Sequence, residues 1–166
     1  LCLMTVSGAA GRWWALLIYV AACITDWLDG YLARVWQQQS TLGRMLDPIA
    51  DKLLVGITLL TLTHDATISG IHVGAAAIIL CREILVSGLR EFLAELNVRV
   101  HVTQLAKWKT TLQMIALGIL VAGPAGDQIV HGVTVIGLAM LWIAALLTLW
   151  TGYDYLKSAV RTAIER

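Results

Sequence analysis

Four aspartates in two close pairs are the residues of this chain best suited to chemistry. Asp26 and Asp29 stand three residues apart, Asp47 and Asp51 stand four apart, and both pairs lie inside or at the edges of apolar segments. A carboxylate at bilayer depth costs roughly 2.5–3.5 kcal/mol. Four would cost on the order of 10 kcal/mol, about the whole stability of an ordinary domain. A bound divalent cation is the simplest way to offset that cost.

Helical geometry lets the four carboxylates converge. Residues three or four apart share a helix face, so each pair projects from one side of its helix. The stretch between the pairs is short, which predicts two antiparallel neighbouring helices. An all-oxygen site without Cys or His suits Mg²⁺ or Mn²⁺. Four carboxylates suffice for two ions about 3.5–4 Å apart, as in two-metal phosphoryl-transfer sites.

Small and basic residues among the aspartates fit a ligand that carries phosphate. Gly30, Ala33 and Gly43 leave room for a bulky nucleotide or for a close helix. Arg34 can meet a diphosphate with its planar fork of donors. The pattern therefore predicts a nucleotide diphosphate beside the metal site.

Five apolar blocks must position these residues, and each is close to the ~20 residues that cross a bilayer as a helix. The blocks run at about 13–33, 45–63, 72–93, 108–123 and 133–153, with breaks at 37–41, 64–67, 97–103 and 123–127. The chain of 166 residues is 58% hydrophobic and only 14% charged, whereas a soluble domain carries about a quarter charged residues. We predict one all-α, polytopic transmembrane helical bundle over residues 1–166.

Two features bear on where helices begin. Residues 1–9 are apolar but too short to span, which indicates the tail of a preceding helix. Pro48 is tolerated only in the first turn of a helix. The second block is therefore predicted to start at Asp47, with that side chain as the N-cap.

Lysines and arginines alternate between the two ends of the blocks. The connections at 64–72 and 123–132 hold none, and Arg12 alone lies at their end of the bundle. The basic residues of the opposite end are Arg34, Arg44, Arg90, Arg99, Lys107, Lys109, Lys157, Arg161 and Arg166. Because cytoplasmic loops carry the excess of basic residues, the aspartates and the C-terminus are predicted to face the cytoplasm.

The spacing of the aspartates resembles a family signature. The pattern Asp26-x2-Asp29-Gly30-x2-Ala33-Arg34-x8-Gly43-x3-Asp47-x3-Asp51 is similar to that of the CDP-alcohol phosphotransferases, with all eight positions present. Further strings resemble the bacterial phosphatidylglycerophosphate synthase branch: Arg82-Glu83-Ile84, Leu89-Arg90-Glu91 and Lys107-Trp108-Lys109-Thr110-Thr111. The resemblance covers about residues 12–157. An Asn-x-Leu-Thr-x-x-Arg stretch usual in a first helix of the family is missing here.

The resemblance implies a fold, a reaction and roles for residues. The fold would be a six-helix bundle whose first helix is truncated or missing here. The reaction would move the phosphatidyl group of CDP-diacylglycerol to sn-glycerol 3-phosphate, with release of CMP. By carry-over, the metal ligands are Asp26, Asp29, Asp47 and Asp51, and the residues of the CDP pocket are Gly30, Ala33, Arg34 and Gly43. Asp51 would also act as the catalytic base that deprotonates the acceptor hydroxyl.

The acceptor phosphate needs cations, and four residues are candidates. Lys107 and Lys109 lead, followed by Arg82 and Arg90. Anchoring at the membrane interface is the alternative for the two lysines. The alternative for Arg82 is a structural pair with Glu83 or a signature aspartate, and for Arg90 an interfacial charge cluster.

Two other functions stay open. A relative in the family could use another acceptor, such as inositol phosphate, serine or a phospholipid. An ion-coupled carrier would use the acids as a cation site, but it predicts internal repeats, and the pattern of the four aspartates is not repeated later in the chain. The expected partners are the two substrates, the lipid bilayer and a second copy of the chain in a homodimer, without nucleic acid.

Overall fold

The computed structural model describes residues 8–35, 41–95 and 104–164, and these ranges form five α-helices. The helices are α1 (Gly8–Val35), α2 (Thr41–His64), α3 (His72–Glu95), α4 (Gln104–Asp127) and α5 (Val133–Ile164). Each contains one of the apolar blocks, which confirms the predicted all-α bundle. Within these described ranges, three segments are long and apolar enough to cross a bilayer: Gly8–Asp26, His72–Ala94 and Val133–Tyr153. The predicted tail of a preceding helix falls mainly on residues 1–7, outside the described residues.

The predicted start of α2 was wrong. The helix begins at Thr41, six residues before Asp47, so Asp47 lies inside the helix and is not its N-cap. A proline inside a helix loses one hydrogen bond and costs about 3 kcal/mol. That single local cost did not end a helix that the surrounding sequence continues in both directions.

The predicted break at 123–127 is a kink within α4. Gly123 has φ 35° and ψ −121°, and Pro124 follows it, yet helical structure continues to Asp127. Glycine tolerates a positive φ, and proline lacks the N–H that would have continued the helical ladder. The Gly-Pro pair therefore bends the helix without ending it.

The core of the bundle lies mainly between α4 and α5, which make the most extensive contact. The fully buried side chains at this contact are Leu117, Leu120, Val121, Leu141, Ala144 and Ala145. Gly137 permits the close approach, because a Cβ there would lie 2.8 Å from Cδ2 of Leu120. Small residues at helix contacts are typical of membrane bundles, in which packing rather than water exclusion holds helices together.

Side-chain hydrogen bonds attach α1 and α3 to this central pair. Tyr19 on α1 donates its hydroxyl to the carbonyl oxygen of Met114 on α4 at 3.1 Å. Trp142 on α5 donates its indole N–H to Nδ1 of His72 at 3.0 Å. Large apolar side chains remain exposed on the outside of all five described helices, for example Trp14, Leu60, Ile84, Ile115 and Leu146. Such an outer surface suits a membrane protein, whose solvent is lipid.

One buried guanidinium joins three distant segments. Arg12, near the start of α1, donates through Nη2 to Asp65 at 2.5 Å and to Thr67 at 2.7 Å. Its Nη1 donates to the carbonyl oxygen of Val121 at 3.3 Å, just before the kink in α4. We call Arg12, Asp65, Thr67 and the Val121 carbonyl the Arg12 clamp.

The start of α5 is capped by the end of α4. Asp127 accepts hydrogen bonds from the backbone N–H of Thr134 at 3.1 Å and from its hydroxyl at 2.5 Å. The first N–H groups of a helix have no partner within the helix, so this carboxylate supplies one. These bonds from Thr134 hold the pKa of Asp127 below its ordinary value.

Candidate active site

Most residues singled out from the sequence lie on helix segments at one end of the bundle. Consecutive helices with short connections run in opposite directions, and the Arg12 clamp joins the start of α1 to the far ends of α2 and α4. The C-terminal parts of α1, α3 and α5 therefore lie with the N-terminal parts of α2 and α4. We call this the aspartate end.

Two helices present carboxylates at the aspartate end. Asp26 and Asp29 lie late on α1, Asp51 lies on α2, and all three are exposed. Asp26 stands one turn after Cys23 on α1, and Asp51 lies in the first half of α2. The second half of α1 and the first half of α2 therefore both carry carboxylates at this end.

The fourth predicted metal ligand is Asp47, and its side chain lies outside the described residues. Among the side chains that the structure describes, no three Asp, Glu, His or Cys residues converge closely enough to hold a metal ion. The site predicted from the sequence needs Asp47, which stands one turn before Asp51 on α2. The complete set of four ligands thus stays a prediction.

The predicted nucleotide pocket falls largely on residues without a described environment. Gly30, Ala33 and Arg34 are helical at the end of α1, but their surroundings lie outside the described part. Gly43 is half-buried in the first turn of α2, across the connection from them. The assignment of these four residues to a nucleotide remains a prediction.

A partly buried group of polar side chains joins α3, α4 and α5. Glu83 on α3 forms an ion pair with Lys109 on α4, and the same oxygen, Oε1, lies 3.3 Å from Nη1 of Arg82. Arg82 also donates through Nη2 to the hydroxyl of Thr151 on α5 at 3.1 Å. We call Arg82, Glu83, Lys109 and Thr151 the cationic cluster, because its two cations outnumber its one anion.

The cationic cluster answers part of what the sequence left open. Arg82 pairs with Glu83, so the structural pair considered for it is present. The side chain of Lys109 is only 3% exposed, a burial that does not fit anchoring of this lysine at the membrane interface. Arg82 and the exposed Arg90 are both close enough for their charges to act on Lys109. The side chain of Lys107 lies outside the described residues.

Two uncharged polar residues lie next to the cluster in sequence. Gln113 stands one turn after Lys109 on α4, and Thr148 stands one turn before Thr151 on α5. Both are fully buried, and Oε1 of Gln113 and the hydroxyl of Thr148 have no hydrogen-bond partner in the described structure. Buried polar atoms usually have partners, so these two groups have unused hydrogen-bonding capacity.

Sequence reasoning missed two residues of the cluster as site residues. Glu83 entered only as a neighbour of Arg82, although an intramembrane acid beside two cations is a recognisable signal. Thr151 gave no signal, because threonines in apolar helices commonly bond to their own backbone. Only the packing of α5 against α3 brings its hydroxyl to Arg82.

The chain is similar to known proteins over most of its length. Residues 1–150 match the family model of the CDP-alcohol phosphatidyltransferases. The chain is 48% identical over 153 residues to the CDP-diacylglycerol–glycerol-3-phosphate 3-phosphatidyltransferase of Rickettsia bellii, covering 92% of this chain and 82% of the relative. It is 46% identical to the protein of the same name from Rickettsia typhi, covering 94% and 85%. Identity to that of Cereibacter sphaeroides is 40%, covering 89% and 82%.

The family match and the relatives span most of the residues for which the aspartate pattern suggested a family resemblance. The matched range includes both acidic pairs, the glycines between them and three residues of the cationic cluster, Arg82, Glu83 and Lys109. The fourth, Thr151, lies one residue beyond it. The resemblance is confirmed, and the chain belongs to the CDP-alcohol phosphatidyltransferase family.

Proposed function

We propose that this chain transfers the phosphatidyl group of CDP-diacylglycerol to sn-glycerol 3-phosphate, giving phosphatidylglycerophosphate and CMP in phospholipid biosynthesis. Relatives at 40–48% identity bear the name of this activity. The structural observation that carries the proposal is the presence of exposed carboxylates and a cationic cluster at the same end of one bundle. Carboxylates suit the cations that accompany a diphosphate, and cations suit the phosphate of the acceptor.

The donor site would be built on the acidic pairs. We propose that Asp26, Asp29, Asp47 and Asp51 hold two Mg²⁺ or Mn²⁺ ions. The described members fit this role, because Asp26, Asp29 and Asp51 offer exposed oxygen donors from two helices. Bound ions would neutralise the charge of the diphosphate. Gly30, Ala33, Arg34 and Gly43 would surround the nucleotide.

Asp51 would serve as the base. The 1-hydroxyl oxygen of glycerol 3-phosphate forms a bond to the β-phosphorus of the donor, and its proton passes to the carboxylate of Asp51. The bond from that phosphorus to the bridging oxygen breaks, and CMP leaves with the electron pair. An exposed carboxylate is accessible to an acceptor that arrives from water, and a base so placed contributes about 10²–10⁴-fold to a rate.

The acceptor phosphate would bind at the cationic cluster. Lys109 and Arg82 would be its principal contacts, with Arg90 and Lys107 beside them. Glu83 already holds the first two cations together, so their repulsion is offset before the phosphate arrives. Arg82 supplies the planar donor geometry that matches phosphate oxygens.

The setting would be a bacterial cytoplasmic membrane with the aspartate end toward the cytoplasm. The alternation of basic residues supports this orientation. It also lets the acyl chains of the donor stay in lipid while glycerol 3-phosphate arrives from water. The family resemblance further implies a homodimer, which chemical cross-linking of the protein in membranes would test.

A transfer assay tests the proposal. The full chain in detergent micelles, supplied with Mg²⁺, CDP-diacylglycerol and radiolabelled glycerol 3-phosphate, should move label into the lipid phase with one CMP released for each transfer. Absence of both label and CMP would overturn the proposal. Equal transfer to inositol phosphate or serine would overturn the acceptor while leaving the phosphatidyl transfer in place.

A further inference from the structure

We propose that Thr151 is a positioning residue whose hydroxyl fixes the guanidinium of Arg82 for binding the acceptor phosphate. The inference rests on the proposed role of the cationic cluster. It adds α5 to the site, a helix on which none of the site residues predicted from the sequence lies. It also gives Arg82 a fixed orientation rather than only a position.

The guanidinium of Arg82 is held from two directions. Its Nη1 lies 3.3 Å from Oε1 of Glu83, the next residue on α3. Its Nη2 donates to Oγ1 of Thr151 at 3.1 Å, across the contact between α3 and α5. Two contacts at different nitrogens define the plane of a guanidinium, and that plane decides whether Arg can meet a phosphate with two parallel bonds.

The hydroxyl of Thr151 is itself oriented by its helix. Its oxygen lies 2.9 Å from the carbonyl oxygen of Leu147 and 3.2 Å from that of Thr148. A hydroxyl has one hydrogen and two lone pairs. Because the hydrogen is donated back to the preceding turn, the lone pairs are left to face Arg82.

The surroundings leave Arg82 room to move if this contact is lost. Between α3 and α5 a groove of about 490 Å³ borders the side chain, lined largely by apolar residues such as Leu85 and Leu149. The stem of Arg82 crosses the backbone of Gly152, where an added Cβ would lie 3.1 Å from its Cγ. A guanidinium that loses a hydrogen-bond acceptor in such surroundings would turn to another one.

The chain provides a matched control one turn away. Thr148 is fully buried on the same helix, and its hydroxyl makes no hydrogen bond in the described structure. Thr148→Val and Thr151→Val both replace a buried threonine by a side chain of similar shape. Only Thr151→Val removes the hydroxyl that accepts a hydrogen bond from Nη2 of Arg82.

Steady-state kinetics with both variants test the inference. Thr151→Val should raise KM for glycerol 3-phosphate about tenfold, since a hydrogen bond to a charged group is lost, with KM for CDP-diacylglycerol unchanged. Thr148→Val should leave both constants as in the parent chain. Equal behaviour of the two variants, or an equal change in both KM values for Thr151→Val, would overturn the inference.

A binding measurement separates this inference from the proposed function. The concentration of inorganic phosphate that raises Tm half-maximally should increase about tenfold in Thr151→Val and not in Thr148→Val. This arm needs no turnover, so it decides the role of Thr151 even if the transfer assay is negative. Thr151→Ser keeps the hydroxyl and should retain the half-maximal phosphate concentration of the parent. A tenfold increase in the serine variant would contradict the proposal, and this test remains usable if the valine variant does not fold.

Discussion

Glu83 on α3 accepts a hydrogen bond from the ammonium of Lys109 on α4 in a partly buried ion pair, in which the lysine side chain is only 3% exposed. The same carboxylate oxygen lies 3.3 Å from the guanidinium of Arg82. One acid thus sets the distance between two cations that the proposed function assigns to the acceptor phosphate. A phosphate that binds there would share these cations with Glu83 or displace it.

Removing Glu83 should destabilise the protein. Glu83→Ala leaves the Lys109 ammonium buried without its anion, which costs about 3–5 kcal/mol. Denaturant unfolding in mild detergent measures the loss. Glu91→Ala is the control, because that acid is exposed on the same helix, and its change should stay within about 0.5 kcal/mol. If Glu83→Ala combined with Lys109→Met were no more stable than Glu83→Ala alone, the ion pair would not explain the loss.

Replacing Asp51 should stop catalysis without stopping donor binding. Asp51→Asn removes the proposed base and should lower kcat by at least about 100-fold, while CDP-diacylglycerol still raises Tm. Asp127→Asn makes the same change at the opposite end of the bundle and should keep the parent kcat. An active Asp51→Asn variant would exclude this residue as the base.

Divalent ions should stabilise the fold through the acidic pairs. At a concentration of 100 times Kd, Mg²⁺ or Mn²⁺ should add about 2.7 kcal/mol, because it binds the folded state and also relieves repulsion between carboxylates. Thermal unfolding with and without the ion measures the effect. The gain should be much reduced in Asp26→Asn and retained in Asp127→Asn. A gain in Asp26→Asn equal to that of the parent would place the ion elsewhere.

The contact at Gly137 should not accept a larger residue. In Gly137→Ala the new Cβ would lie 2.8 Å from Cδ2 and 2.9 Å from Cγ of Leu120, and overpacking of this kind costs about 1–3 kcal/mol. Gly74→Ala is the matched control, since nothing lies within 4 Å of a Cβ on that helical glycine. It should stabilise the protein by about 0.5–1 kcal/mol. A stabilised Gly137→Ala variant would contradict the close packing of α4 on α5.

Stability should depend on pH through Asp127. Hydrogen bonds from Thr134 lower the pKa of Asp127 in the folded state. Its contribution is therefore present above the unfolded-state pKa of about 3.9 and is lost as the pH falls through the lower, folded-state pKa. The difference in Tm between the parent and Asp127→Asn should be largest near neutral pH and shrink toward about pH 3. If the difference in Tm is constant over this range, the substitution acts through the shape of the side chain at position 127 rather than through its charge.

The helices were predictable because the bilayer sets their length. Runs of about 20 apolar residues gave all five. The orientation that the lysines and arginines indicate stays a prediction. The helix ends were harder. Asp47 failed as an N-cap and the residues after Gly123 failed as a loop, since both predictions gave one proline more weight than the helix around it.

The polar contacts inside the bundle were less predictable than the helices. Spacing within one helix reveals which residues share a face, so Asp26 and Asp29 could be paired on sight. It does not reveal which residue of another helix lies opposite. Lys109 with Glu83, and Arg82 with Thr151, are separated by 26 and 69 residues, and only the packing of helices brings them together.

The Arg12 clamp has a consequence for the order in which the protein matures. Its acceptors lie 53, 55 and 109 residues further along the chain, so they leave the ribosome long after α1 has done so. Until α4 is in the membrane, only Asp65 and Thr67 of these acceptors are available, and the hydrogen bond to the Val121 carbonyl is still missing. The first of the described helices to be synthesised is thus among the last to acquire its final contacts. In a chain truncated before Val121, α1 would be in the membrane without its hydrogen bond to the Val121 carbonyl.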